Sequence, residues 1–303
     1  MSVGTDVYQA VTDRFIHALE EGVVPWHKPW IASGDCNPKT GTIYKGINTL
    51  LLALFKLAAQ EREVDYGNLW CTFNGWKKFG GHVKGGETAR GQFVVYWDRI
   101  AKVKQDEVTG EDKLTQFFLL KTYTIFNIAQ TEDVQIPEKY LPKPEVERVD
   151  WEELAQSFIS GMANPPKEMV DDHAYYMPLT DTVAVPSRKD FDSPAHYWAT
   201  RFHEYVHSTG HKDRLNREDA FGNGFGTEKY SKEELVAEMG AAFLMEKVGV
   251  LDDTFENNAA YLAGWLKRIK EEPKLIVQAA GRAEKAAEYI APSEVETEEA
   301  KAA

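Results

Sequence analysis

The 303-residue chain holds only two cysteines, Cys36 and Cys71, and neither sits at metal-ligand spacing from another ligand-type residue. They read as free thiols suited to a reducing cytosol, which argues against a disulfide scaffold. No apolar run approaches the length of a membrane span, so no membrane partner is expected. The first residues, MSVGTDVYQAVTDRF, lack the basic stretch followed by an apolar core that marks a secretory signal, and the expected location is cytoplasmic. The glycines of Lys84-Gly85-Gly86-Glu87 have neither Walker nor dinucleotide-fingerprint spacing, so no nucleotide cofactor is expected.

Positive charge is scarce overall, with 35 Lys and Arg against 48 Asp and Glu, a net −13. The deficit is not uniform. Residues 1–135 carry 15 basic and 16 acidic side chains, residues 136–303 carry 20 and 32, and within 28–104 the balance is 12 basic to 6 acidic. The acidity belongs to the C-terminal half, which leaves room for a basic surface in the N-terminal half.

What stands out most is Phe202-His203-Glu204-Tyr205-Val206-His207, an H-E-x-x-H pattern inside a helical run. A spacing of four residues puts His203 and His207 on one helix face, where both imidazoles reach a single metal ion. Imidazole suits Zn²⁺, and an open fourth position leaves room for water; Mn²⁺ or another divalent ion is the alternative. Glu204 is the candidate general base, taking a proton from that water and passing it to a leaving amine.

A catalytic zinc needs one more protein ligand. The helix predicted over 232–248 offers Glu234 and Glu238 one turn apart, beside the apolar stripe of Leu235, Met239 and Ala242. In the preferred assignment Glu234 binds metal and Glu238 orients a ligand histidine from the outer sphere. The reverse assignment to Glu238 remains open. So does Asp213, reached through a turn at Gly210 in the spacing H-E-x-x-H-x-x-G-x-x-D. Glu233 reads as solvent-facing, Tyr205 as packing, and His196 and His211 as local hydrogen-bonding residues. Tyr230 and His211 lie within sequence reach of an oxyanion role, and no pattern singles either out.

The remaining pattern predicts an α+β protein. A helix is expected over 5–21, stopped by Gly22, and a largely buried one over 49–61. A strand is expected around 70–74, then a helix through Trp76 and Phe79. A hairpin follows from 92–104 and 114–126, joined by the polar QDEVTGEDK. The three prolines of 136–150 suggest a linker. Beyond it come a helix from Trp151, two short strands at 174–179 and 182–186, and helices over 255–270 and 274–289. The boundaries drawn are 1–135 for a first domain, 136–150 for the linker, 151–290 for a metallopeptidase domain and 291–303 for a disordered acidic tail. In the first domain, aromatic rings interleaved with lysines suit unpaired bases and phosphates. The candidates are Trp26, Lys28, Trp30, Lys45, Trp76, Lys77, Lys78 and Lys84.

These residues together resemble the ArdC-type antirestriction proteins of conjugative plasmids and the related N-terminal region of TraC-type primases. The resemblance is carried by PWHKPW at 25–30, YKGIN at 44–48, the W-x-TF-x-x-W-x-x-x-GG-x-V-x-x-GE run across 70–87, and YTIFN-x-x-Q at 123–130. It continues through YWATRFHEYVHSTGHKDRLNR at 197–217 and YSKEELVAEMGAAFL at 230–244. It implies an N-terminal domain that binds single-stranded DNA and a zincin-like metallopeptidase domain using His203, His207 and a glutamate of the later helix. It also implies protection of incoming plasmid DNA during conjugation, with a host protein as a candidate peptidase substrate. The competing expectation is a protein that coats single strands and keeps only a structural or vestigial metal site.

Overall fold

The computed structural model describes residues 3–26, 34–105, 112–140, 150–217, 228–250 and 259–292. Two compact units result: residues 1–17 with 34–141, and residues 18–33 with 142–303. The architecture is mixed helix and strand, as the pattern predicts. Among the described residues no helix is long and apolar enough to cross a membrane.

The first helix, α1 (Val3–Glu20), ends where Gly22 takes a positive φ of 77°. There the Gly22 N–H donates to the Leu19 carbonyl at 3.0 Å and the Val23 N–H to that of Ala18 at 2.8 Å, closing the last turn. In the first unit α2 (Ile47–Gln60) buries Leu50, Leu51, Leu52 and Phe55. Its Asn48 amide grips the backbone of Val95, accepting from its N–H at 2.7 Å and donating to its carbonyl at 2.8 Å. That contact docks the helix onto β3 (Gln92–Gln105) and caps two groups of a sheet edge.

β3 and β4 (Asp112–Asn127) form the expected hairpin, in register from Gln92 opposite Ile125 to Gln105 opposite Asp112. β4 also pairs with β1 (Trp70–Cys71), giving the sheet order β1-β4-β3. The strand expected over 70–74 stops early because the Thr72 hydroxyl accepts from the Gly75 N–H and starts α3 (Phe73–Lys77). A small ladder of β2 (His82–Val83) with β5 (Thr131–Glu132) completes the unit.

In the second unit α4 (Trp151–Ser160) is capped by Asp150, which accepts from the N–H groups of Glu152 and Glu153. β6 (Lys167–Val170), which the sequence pattern misses, lies parallel to β8 (Thr182–Val185), and β7 (Tyr175–Met177) lies antiparallel to β8 on its other side. β8 is buried along its whole length and supports α5 (Pro194–Ser208), with Ser193 as N-cap and Pro194 in the first turn. α6 (Glu228–Lys247) crosses α5 closely. A Cβ added at Gly240 would lie 2.8 Å from Val206 Cγ2, so only glycine allows this approach. α7 (Ala259–Glu271) and α8 (Leu275–Ile290) follow; α8 buries Ala279, Ala280, Ala283, Ala286 and Ala287 and packs on α6.

Candidate metal centre

α5 presents His203 and His207 one turn apart with Nε2 atoms 3.1 Å from each other. α6 brings Glu234 to the same point. Its Oε1 lies 3.3 Å from His207 Nε2 and its Oε2 3.6 Å from His203 Nε2. Ligand atoms of these three residues all fall within 4.8 Å of one another, the sole such grouping found among the described residues. Glu234 Oε1 is buried with no hydrogen-bond donor, as is His207 Nδ1. Two imidazoles and a carboxylate converging around an unsatisfied buried oxygen fit a divalent cation.

The electrostatics follow from how much charge is buried here. Glu204 is buried beside His203, and burial pushes its carboxyl above the usual range, opposed by the two histidines; the Tyr176 N–H of β7 donates to it. Burial alone would lower His207, but Glu233, Glu234 and Glu204 overcome it and raise the imidazole to about 10. Glu233 Oε1 stands 3.7 Å from His207 Nδ1, beyond hydrogen-bond reach, so it acts there through charge. Glu234 lies far below the usual carboxylate range, because its two histidine partners outweigh burial. Glu233 is held low in the same way, by His207 and by Arg217, whose Nη2 donates to it at 2.6 Å.

Several sequence expectations change. Glu233, read as solvent-facing, is buried between Arg217 and His207, because α6 lies so close to α5 that this face turns inward. Glu238, read as orienting a ligand histidine, accepts from Trp26 Nε1 at 2.8 Å and from the Tyr261 hydroxyl. It stands outside the three-residue grouping. Asp213 is 62% exposed and pairs with His211 Nδ1 at 3.6 Å, so the turn after Gly210 leads it away from the histidine pair. The Tyr230 side chain lies outside the described residues. Tyr205 is packed in the core, with its hydroxyl donating to Glu168. Arg217 is the residue that sequence reasoning missed. Its signal was an arginine, the second of two after the motif, ahead of a helix carrying consecutive glutamates.

The eight nucleic-acid candidates also divide. Trp26 and Trp76 are fully enclosed and offer no ring face; Trp76 Nε1 donates to the Phe126 carbonyl at 3.0 Å within a core of Leu69, Cys71 and Val83. Lys28 and Trp30 lie outside the described residues. Lys45, Lys77, Lys78 and Lys84 are exposed; Lys77 sits 4.9 Å over the Phe73 ring and Lys84 donates to the Ala129 carbonyl. Apart from Phe73 on α3, the exposed aromatics among the described residues are instead on the hairpin. Tyr96 and Tyr123 are 54% and 46% exposed and meet edge to face at 5.9 Å, and Lys121 lies directly opposite Tyr96 on the same face. Period-two alternation within the two strands was the available signal.

The raised His207 has a consequence for metal-free protein. Its folded pKa exceeds the ordinary 6.5, so the stability it contributes is complete below pH 6.5 and is lost as pH rises through about 10. The depressed Glu234 works in the opposite sense, contributing above its ordinary 4.5 and losing that contribution on acidification. At pH 8 a metal taking His207 Nε2 therefore displaces about one proton. Calorimetric titration with Zn²⁺ in two buffers of different ionisation enthalpy should show that release; buffer-independent heats would contradict the assignment.

Comparison with known proteins gives two family matches. Residues 153–282 match a zincin-like metallopeptidase model, and residues 5–126 match the N-terminal domain of anti-restriction factor ArdC. The crystal structure of antirestriction protein ArdC from plasmid R388 in its metal-free form superposes with a TM-score of 0.72 at 35% identity, covering 94% of this chain and 96% of that one. Its Mn(II)-bound form superposes equally, with a TM-score of 0.72 at 32% identity, covering 93% and 96%. A DNA primase TraC from Escherichia coli is 32% identical over 93% of this chain, which spans only 27% of the primase. The uncharacterized protein y4eC of Sinorhizobium fredii is 29% identical, covering 94% of this chain and 92% of its own. The chain belongs to the ArdC antirestriction family.

Proposed function

We propose that this protein is a metal-dependent peptidase joined to a single-stranded-DNA-binding unit, acting in the cytoplasm to protect plasmid DNA arriving by conjugation. The observation that carries the peptidase reading is the convergence of His203 Nε2, His207 Nε2 and the Glu234 carboxylate beside Glu204. The donor set suits Zn²⁺, while the Mn(II) form of the R388 relative makes manganese the natural second choice.

A divalent ion held by His203, His207 and Glu234 supplies positive charge that acidifies water and polarises a substrate carbonyl. Glu204 takes a proton from the attacking water onto a carboxylate oxygen and returns it to the amine nitrogen as the C–N bond breaks. Burial raises its pKa toward the range where both transfers work, and the Tyr176 N–H keeps the carboxylate aimed. Tyr176 belongs to β7, at one edge of the β6-β8-β7 sheet, so an extended peptide adding to that edge lies beside Glu204. Arg214 braces the strand's turn, pairing with Asp181, which also accepts from the Tyr176 hydroxyl at 2.9 Å.

The DNA reading rests on the family match of residues 5–126, the TraC relatives, and the exposed Tyr96 and Tyr123 with half-buried Lys121 on the same sheet face. Rings of this kind stack on unpaired bases while cations follow phosphates.

Glu204→Gln should reduce cleavage of an unstructured protein substrate at least ~100-fold with bound metal unchanged. Cleavage near the wild-type rate would remove Glu204 from the mechanism, and full protection of plasmid DNA by the variant would reduce the protein to a DNA coat. In fluorescence anisotropy the full chain should prefer single over double strands and weaken with salt. Tyr96→Ala with Tyr123→Ala should lower that affinity about 10-fold or more, since each stacked base contributes ~1–3 kcal/mol. Binding that is unchanged by the pair moves the DNA face elsewhere.

A further inference from the structure

Trp26 lies far from the metal helices in sequence, yet it is enclosed with them in the second unit. Its Nε1 donates to Glu238 Oε2 at 2.8 Å and lies 3.3 Å from the Tyr261 hydroxyl oxygen, and Tyr261 itself donates to that carboxylate oxygen. The Trp26 ring meets Trp265 edge to face at 6.0 Å, and Trp265 in turn meets Tyr261 edge to face at 6.2 Å. In the same stretch of chain Leu19 and Val24 are fully buried, and Lys270 reaches Glu20 at 2.7 Å.

Glu238 sits one helical turn beyond Glu234 on the same face of α6. Whatever fixes Glu238 therefore fixes the rotation of α6 about its own axis at the level of Glu234. A ligand oxygen lies about 6 Å from a helix axis, so a 10° rotation moves it about 1 Å. Metal–ligand distances tolerate only about 0.2 Å. Gly240 against Val206 sets how near α6 comes to α5, and Glu233 with Arg217 holds one side of its face. α8 packs along α6 as well, and at the level of Glu238 itself the restraint comes from Trp26 and Tyr261.

We infer that residues 18–26 are a working part of the metal unit, and that Trp26 is a positioning residue for Glu234, acting through Glu238. The metallopeptidase unit is thus assembled from two separated pieces of chain, and the stretch beginning at residue 150 is incomplete without the first piece. This rests on Glu234 being a metal ligand. It also places the indole in the peptidase machinery, where the interleaving of rings and lysines had made it a candidate platform for bases.

The test measures Zn²⁺ affinity of the full chain by competition with a chromophoric chelator, alongside thermal unfolding of each metal-stripped protein. Trp26→Phe keeps a buried ring and removes the N–H donor; it should weaken Zn²⁺ binding ~10-fold, the low end for outer-sphere partners, with little change in metal-free unfolding. Glu238→Gln keeps an oxygen that can accept from both donors and should stay within ~3-fold of wild type. Glu234→Ala is the control on the underlying reading: unchanged affinity there overturns the ligand assignment itself. Weakening by Glu234→Ala with none by Trp26→Phe overturns the inference alone. If Trp26→Phe lowers metal-free stability, Tyr261→Phe decides, because it removes the second donor to the same oxygen. An affinity equal to wild type in Tyr261→Phe then counts against the positioning role.

Discussion

Buried charge is the constraint on which the rest of the metal unit depends. Glu204, Glu233 and the inner edge of Glu234 surround His207 where little water reaches, and isolated carboxylates cannot be kept there cheaply. Arg217 answers one of them, with two nitrogens on Glu233 and further donations to the Thr209 hydroxyl and the Val206 carbonyl. His207 answers another, held cationic far above its ordinary pKa when no other cation is at hand. A divalent ion held at this point would relieve both His207 and Glu234 and satisfy the oxygen left without a donor. Metal binding would therefore couple to local folding through the same group of side chains.

Backbone packing makes that concentration of charge achievable. The missing Cβ at Gly240 lets α6 settle against Val206, the residue immediately before the second histidine. With α6 so near, two consecutive glutamates can face α5, one toward the imidazole Nε2 atoms and one toward Nδ1. β8 supports α5 from beneath, and β7 supplies the N–H that aims Glu204. A second bidentate pair, buried Arg201 with exposed Glu168, ties α5 to β6 at 2.8 and 2.9 Å. The face that carries His203, Glu204 and His207 thus rests on hydrogen bonds to β6 and β7 and on packing against β8 and α6.

What could be read from the sequence tracks how local each feature is. His203, Glu204 and His207 stand out because a four-residue interval maps directly onto one helix face. The hairpin of β3 and β4 stands out for the same reason, with two alternating segments and a polar turn. The choice between Glu234 and Glu238, both on a suitable face, depends on where α6 meets α5, and that crossing is set by Gly240 rather than by either glutamate. Glu233 was misread because a helix packed on several sides has no simple polar face. Trp26 was misread because an indole between prolines serves a stacking surface and a buried plug equally well, and only its distant partners Glu238, Tyr261 and Trp265 distinguish them. β6 carries four exposed residues, Lys167 to Val170, and so shows no alternation to detect.

The central claim, that one divalent metal joins α5 to α6, is tested most directly by anomalous diffraction at the zinc edge from crystals of the full chain grown with Zn²⁺. A single strong peak is expected roughly 2.0–2.2 Å from His203 Nε2, His207 Nε2 and a Glu234 oxygen. A peak held by other residues, or no ordered metal between the two helices, would contradict it.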